Sequence, residues 1–289
     1  MKKFKLLPIF LIGLSIFLLT GCTTDTMDGI EIETSSYPIE YLTNKLYSDH
    51  SNITKLYPDD VNINTYKITD KLLKDTSEKN LFIYNGLTKE KDIANKLLKI
   101  DHKIKIIDCT YGMTSSYDNE TLWIDPSNML MITTNIRKGL KEYVTSNNIA
   151  KEIDKNYSEL KIDLSQLDAE LKLISENSTN KNIVIANNSL KFLDKYGFNT
   201  YSIDESNTLS QKDIYNIEQL FQNGSVSYIF ALNRTKDNST IKRLKETYKV
   251  EVLYINDLNN IKEEDRNNGV DLITMFNDNL ELIKQETYN

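Results

Sequence analysis

The chain has 289 residues, a formal charge of -7 and two cysteines, Cys22 and Cys109. The acidic balance excludes a nucleic-acid partner, because phosphate contacts need a basic face, and so few cysteines exclude a thiolate metal cluster or a disulfide framework. A chain of this length supplies one large core or two of ordinary size.

Residues 1–21 read as a secretory address. Lys2, Lys3 and Lys5 precede an apolar run over residues 6–19, broken only by Pro8, Gly13 and Ser15. That run of about 14 residues is short of the roughly 20 that a membrane-spanning helix needs. Leu19, Thr20 and Gly21 before Cys22 resemble the lipobox of bacterial lipoproteins, which implies that Cys22 is lipidated and heads the mature chain at the membrane surface. Acyl chains hold such a protein at about 0.8 kcal/mol per buried methylene. Loss of the three lysines would move the formal charge to -10. Residues 22–29 carry no apolar periodicity and read as a tether between lipid and fold.

Beyond the tether, strand-like and helix-like segments alternate as βα units do. Strands are expected at 30–34, 53–57, 81–84 and 104–108, and again at 182–186, 200–203, 226–232 and 250–255. Between the sets, Ile153, Tyr157, Leu160, Leu164, Leu167, Leu171 and Ile174 recur at steps of four and three, the stripe of an amphipathic helix. No proline or glycine falls between Lys141 and Thr179, so a helix of about 30 to 40 residues is expected. A coiled-coil seam is the rival reading, but a stripe of roughly three heptads set between two α/β halves favours a helix that packs along both. Asp125-Pro126 has the form of a helix start, with Asp125 as cap and Pro126 in the first turn. Trp123, the only tryptophan, is expected to be a core anchor there. Asn85-Gly86 reads as a turn at the carboxyl end of a strand, the edge at which open α/β sheets bind ligands.

Four stretches carry a family resemblance over nearly the whole mature chain: Thr34-Ser35-Ser36-Tyr37-Pro38; residues 81–87, Leu-Phe-Ile-Tyr-Asn-Gly-Leu; residues 122–128, Leu-Trp-Ile-Asp-Pro-Ser-Asn; and Leu209-Ser210-Gln211-Lys212-Asp213-Ile214, leading to Val226. In order and spacing they resemble the solute-binding lipoproteins of zinc and manganese ABC importers. The resemblance implies an α/β fold of two (β/α)4 lobes joined by a long rigid backbone helix. It divides the chain into an N-terminal lobe at 30–135, the helix at 136–179 and a C-terminal lobe at 180–289. It also implies an ABC permease and ATPase as partners, and a divalent cation between the lobes, usually held by three histidines and a carboxylate.

Carried over by local alignment, the three histidine positions fall on Asn64, Thr121 and Asn187, and only the carboxylate, Asp257, remains. Amide and hydroxyl oxygens are weak donors to zinc, which prefers imidazole and thiolate. The expectation is weak zinc or manganese binding, or a different small polar solute, for which the adjacent Asn187 and Asn188 offer hydrogen bonds. Calcium, magnesium or manganese would suit the oxygen donors better, though too few charges remain for tight binding. Asp59, Asp60, Asp118, Glu120, Asp204 and Glu205 would add charge if their loops lined the cleft. His50 and His102 precede strands and are expected at the opposite, amino edge as surface residues. No G-x-S-x-G elbow, phosphate loop or H-E-x-x-H is present, so catalysis is not expected. Two function classes remain: an extracytoplasmic solute-binding protein of a metal-type importer, and a non-transport surface lipoprotein, adhesive or regulatory, that kept the fold and lost the ligand.

Overall fold

The computed structural model describes residues 27–288 apart from Asp60, Asn64, Ser115, Ser116 and Asn207. Cys22, the secretory segment and Asn64 therefore lie outside the described residues. The first four strands are β1 (Ile30–Thr34), β2 (Ser51–Lys55), β3 (Leu81–Tyr84) and β4 (Lys105–Asp108), a parallel sheet in the order β2-β1-β3-β4. The second four, β5 (Asn182–Ile185), β6 (Asn199–Ser202), β7 (Tyr228–Leu232) and β8 (Glu251–Ile255), repeat the arrangement as β6-β5-β7-β8. The expected strands are all present. The largest offset is at β2, which begins and ends two residues early, where Ser51 pairs with Ile30 and Lys55 with Thr34.

Strand periodicity decides what each sheet face meets. In β3, Phe82 and Tyr84 join Leu73, Ile93, Ala94 and Leu97 from helices α2 (Asp70–Ser77) and α3 (Glu90–Ile100). Leu81 and Ile83 point the other way, into the largest core. The second sheet does the same: Ile229 and Ala231 of β7 pack on Ile217, Phe221, Ile241 and Leu244 of α6 (Gln211–Gln222) and α7 (Ser239–Tyr248), while Phe230 and Leu232 face the largest core. That core holds inner-face residues of both sheets and is continuous from Met27 to Ile283.

Its filling comes from α1 (Tyr37–Tyr47), α4 (Pro126–Tyr143), α5 (Asn147–Asn177) and, after the short α8 (Glu263–Asn267), from α9 (Leu272–Thr287). Leu160, Leu164, Leu167, Leu171 and Ile174 of α5 are all buried, and the helix packs against α1, α4 and α9. With the stripe consumed inside one chain, no seam is left for a coiled-coil partner. The helix is 31 residues long but starts later than the 136–179 expectation, because the backbone turns extended at Val144 and Ser146 without proline or glycine. The turn lets α4 and α5 pack antiparallel. Thr134 hydrogen-bonds Tyr157 at 3.0 Å, and Arg137 and Lys141 both reach Asp154, at 2.7 and 2.6 Å.

Asp125 caps α4 by accepting from the Ser127 N–H at 3.0 Å, with Pro126 in the first turn as expected. Near the other end of the chain, Met27 is fully buried and its carbonyl accepts from the Tyr47 hydroxyl, so this residue of the expected tether is packed on the fold, while Asp28 and Gly29 after it are exposed.

Candidate functional site

The carboxyl ends of both sheets face a polar cleft between the lobes. In each sheet the strand order changes direction between the first and third strands, the switch point at which open α/β sheets gather ligands. At the first, the Asn85 N–H donates to buried Glu90 at 2.8 Å and the Asn85 amide donates to the Asn119 carbonyl at 2.8 Å. Gly86 donates its N–H to Asp108 at 3.1 Å, and a Cβ there would lie 2.0 Å from that carboxylate, so the turn needs glycine for close approach.

At the second switch point Asn187 is spoken for. Its Oδ1 accepts from the Leu232 N–H at 2.8 Å and the Thr235 hydroxyl at 2.9 Å, tying the end of β5 to the end of β7. Asn188 is likewise engaged with Asp204, Ser206 and Ser202. Thr121 is buried and donates to Asp118 at 2.9 Å.

Asp257 follows β8 on a turn clamped by Asn279 of α9, which accepts from the Asn256 N–H at 2.8 Å and donates to the Asn256 carbonyl at 2.9 Å. The Asp257 carbonyl accepts from the Trp123 indole at 3.1 Å, so the tryptophan is a core anchor that also joins the lobes. The Asp257 carboxylate accepts from the Asn259 N–H and side-chain amide, both at 3.1 Å. Burial raises its pKa against the opposing pull of Asn259 and Arg234.

Arg234 is the residue that sequence reasoning missed. It follows β7, lies 3.5 Å through Nε from Asp257 and donates through Nη2 to Asp118 at 3.1 Å. One guanidinium thus bridges two carboxylates from opposite lobes, and Thr121 hangs on the same Asp118 oxygen. A second arginine, Arg266, bridges the lobes to Glu40 at 2.8 Å and Asp59 at 3.1 Å. The chain has four arginines against 31 lysines. An arginine directly after a core strand, in a chain that otherwise uses lysine, was the available signal, because planar bidentate pairing is what lysine cannot supply.

Of the acidic loop residues, Asp59, Asp118 and Asp204 are similarly occupied. Asp59 sits between Lys55, at 2.6 Å, and Arg266, which hold its carboxyl below the usual range against the opposing effect of burial. Asp204 accepts from Asn188 and Ser206, and Glu205 is exposed. Among the described residues no three His, Cys, Asp or Glu side chains gather as a metal-binding group. His102 is exposed, but His50 departs from its expected surface role: its ring is mostly covered and bonds Asp28 at 2.9 Å and Glu152 at 3.1 Å. These bonds outweigh desolvation and raise the His50 pKa.

Two cavities flank the Arg234–Asp118 bridge. One, of about 320 Å³, is lined by Asn62 and Ile63 from the first lobe and by Asn233, Arg234 and Asn259 from the second. The other, of about 260 Å³, lies between Asp118, Thr121 and Asp125 and the Ser189–Lys195 region. Lys195, in its lining, pairs with Asp125 at 2.5 Å.

Two parallel α/β lobes with facing carboxyl edges and a polar cleft between them define a two-lobed solute-binding protein. The model of the family described as zinc-uptake complex component A, periplasmic, matches residues 32–286, and the chain belongs to that family. The chain is similar to the Zn(II)-bound ZnuA-like domain of AdcA from Streptococcus pneumoniae, at 20% identity and a TM-score of 0.73 over 90% of this chain and 100% of that one. It is also similar to the metal-dependent lipoprotein YcdH from Bacillus subtilis, at 16% identity, TM-score 0.73 and the same coverage. The laminin-binding protein Lbp of Streptococcus pyogenes aligns at 17% identity and a TM-score of 0.70, over 90% of this chain and 99% of that one. Among curated protein sequences nothing matches.

Proposed function

We propose that this protein is a lipid-anchored, extracytoplasmic solute-binding component of an ABC importer of the zinc and manganese type, in which the metal site has been given up. Lipid on Cys22 holds it at the membrane, and a permease and an ATPase take its cargo. One observation carries the loss of metal: the guanidinium of Arg234 lies between Asp257 and Asp118, supplying the positive charge that a bound cation would otherwise bring. Asn64, Thr121 and Asn187, the positions aligned with histidines, offer neutral oxygens, and Thr121 and Asn187 already hold protein partners. Such a donor set is poor for zinc.

Calorimetry on the delipidated mature protein tests this reading: no nanomolar zinc or manganese binding is expected, and 10 µM of either metal should leave the melting temperature unchanged. A tight, saturable zinc isotherm overturns it. Replacing Asn64, Thr121 and Asn187 with histidine should restore zinc binding only when Arg234→Ala is added, because a fixed guanidinium repels the incoming ion. A Cys22→Ala chain should appear in the medium rather than on the membrane.

A second reading, a surface lipoprotein that does not transport, is favoured by the extent to which the lobes are bridged by the protein's own ion pairs. Genes for a permease and an ATPase beside this one support import; an isolated gene supports the alternative.

A further inference from the structure

We infer that His50 is a charged clasp: with a proton on each ring nitrogen it ties the chain just before β1 to the start of α5, and it releases one of the two when the ring loses a proton. His50 ends the short turn Ser48–His50 that joins α1 to β2. Its Nδ1 lies 2.9 Å from a carboxylate oxygen of Asp28, and its Nε2 lies 3.1 Å from one of Glu152. Asp28 belongs to the segment that leads into β1, and Glu152 sits in the second turn of α5.

Stoichiometry carries the inference. An ionised carboxylate only accepts hydrogen bonds, and a neutral imidazole has one N–H to give. Two carboxylates on opposite ring nitrogens are therefore both satisfied only by the imidazolium, whose charge strengthens both bonds. Each element packed on the ring supplies one facing group: Asp28 from the segment before β1, Glu152 from α5, and the Tyr47 ring of α1 at 5.5 Å between centroids. Asp49, beside it in the turn, is exposed. The His50 side chain is 18% exposed, against 58% for Asp28 and 40% for Glu152. Pairs with partners so open to water hold weakly, as a reversible clasp requires.

Desolvation, which lowers the ring's pKa, is outweighed by the bonds to Asp28 and Glu152, so it stands above the ordinary 6.5. A histidine raised in this way contributes fully below 6.5 and loses its contribution as pH rises through the folded value. The clasp is thus closed in acid and opens toward alkali. Two attachments persist when it opens: the Met27 carbonyl on the Tyr47 hydroxyl, and the Gly29 N–H on the His50 carbonyl at 2.8 Å. Opening loosens the entry to β1 without unseating it. With lipid on Cys22, as proposed above, Asp28 lies six residues from the anchor, within about 20 Å of extended chain, so the clasp acts where the anchor's pull reaches the fold. The clasp itself does not depend on that lipid.

The test uses the delipidated mature protein. The chain has two histidines, so imidazole NMR of the 15N-labelled protein shows two rings, and His102→Gln assigns them. The His50 midpoint is expected above 6.5, with both ring nitrogens protonated below it, and Asp28→Asn and Glu152→Gln should each lower it. Amide exchange reads the clasp. Compared with His50→Gln at pH 6, the Gly29 N–H of the intact protein should be protected about fivefold more, and the ratio should approach one above the His50 midpoint. A midpoint at or below 6.5, a midpoint unmoved by both substitutions, or equal Gly29 protection in the two proteins at pH 6 overturns the inference. If a substituted chain does not fold, the midpoint of the intact protein decides alone. Retention of the Cys22→Ala chain on the membrane would remove the anchor reading and leave these outcomes unchanged.

Discussion

The two switch points share a topology and differ in use. The first is sealed: Asn85, Gly86 and Asn119 spend their polar groups on Glu90, Asp108 and neighbouring carbonyls. The second ends in Asn233 and Arg234, which line a cavity, and Arg234 reaches across to Asp118. One topology has therefore produced a closed turn in the first lobe and a cavity wall in the second. The loops beyond the strands decide which.

Trp123 is the place to break that comparison hardest, since it is packed in the first lobe and bonded to the Asp257 carbonyl of the second. Trp123→Ala should cost about 3–5 kcal/mol by cavity formation alone, read as a drop in the denaturant midpoint. Trp123→Phe should lose about 1 kcal/mol, the hydrogen bond without the cavity.

Glu90 sharpens the contrast from the sealed side. Burial, reinforced by Glu120 and opposed by the Asn85 N–H and Lys89, pushes its pKa from 4.5 up to about 7. Between those two values the folded protein keeps a proton that the unfolded chain releases, so stability falls as pH rises from about 4.5 to 7 and levels above. The shift is worth about 3 kcal/mol. Glu90→Gln keeps the acceptor for Asn85 and should flatten the pH profile of the melting temperature over this range; an unchanged slope would place the titration elsewhere.

A smaller effect is expected at the second switch point. Asn187→Ala leaves the Leu232 N–H without its acceptor, for a loss of about 1–3 kcal/mol. Asn187→Asp keeps an acceptor at that position and should recover part of the loss in urea titrations.

Much of the fold was legible because apolar periodicity marks strands and helices wherever they are buried. The α5 stripe and the Asp125-Pro126 start read directly from residue spacing. The break at Val144–Ser146 did not, since nothing in those residues forbids a helix and only the antiparallel packing of α4 on α5 selects the turn. The site was less legible for a related reason. Asn187 and Thr121 could be aligned from local sequence, but the partners of Asn187, Leu232 and Thr235, lie more than 40 residues away. The ion pairs of Arg234 span 116 residues to Asp118 and 23 to Asp257, separations that no local pattern encodes.

The continuous core beneath both sheets limits how this protein can release a cargo. With Leu81, Ile83, Phe230 and Leu232 sharing one apolar interior with α5, wide opening of the halves would expose oil to water along the whole spine. Unloading is thus expected to proceed by movement of the surface loops and breakage of the two arginine bridges, while the spine stays rigid. A docking permease would then act as a lock-pick at the mouth rather than a lever on the frame.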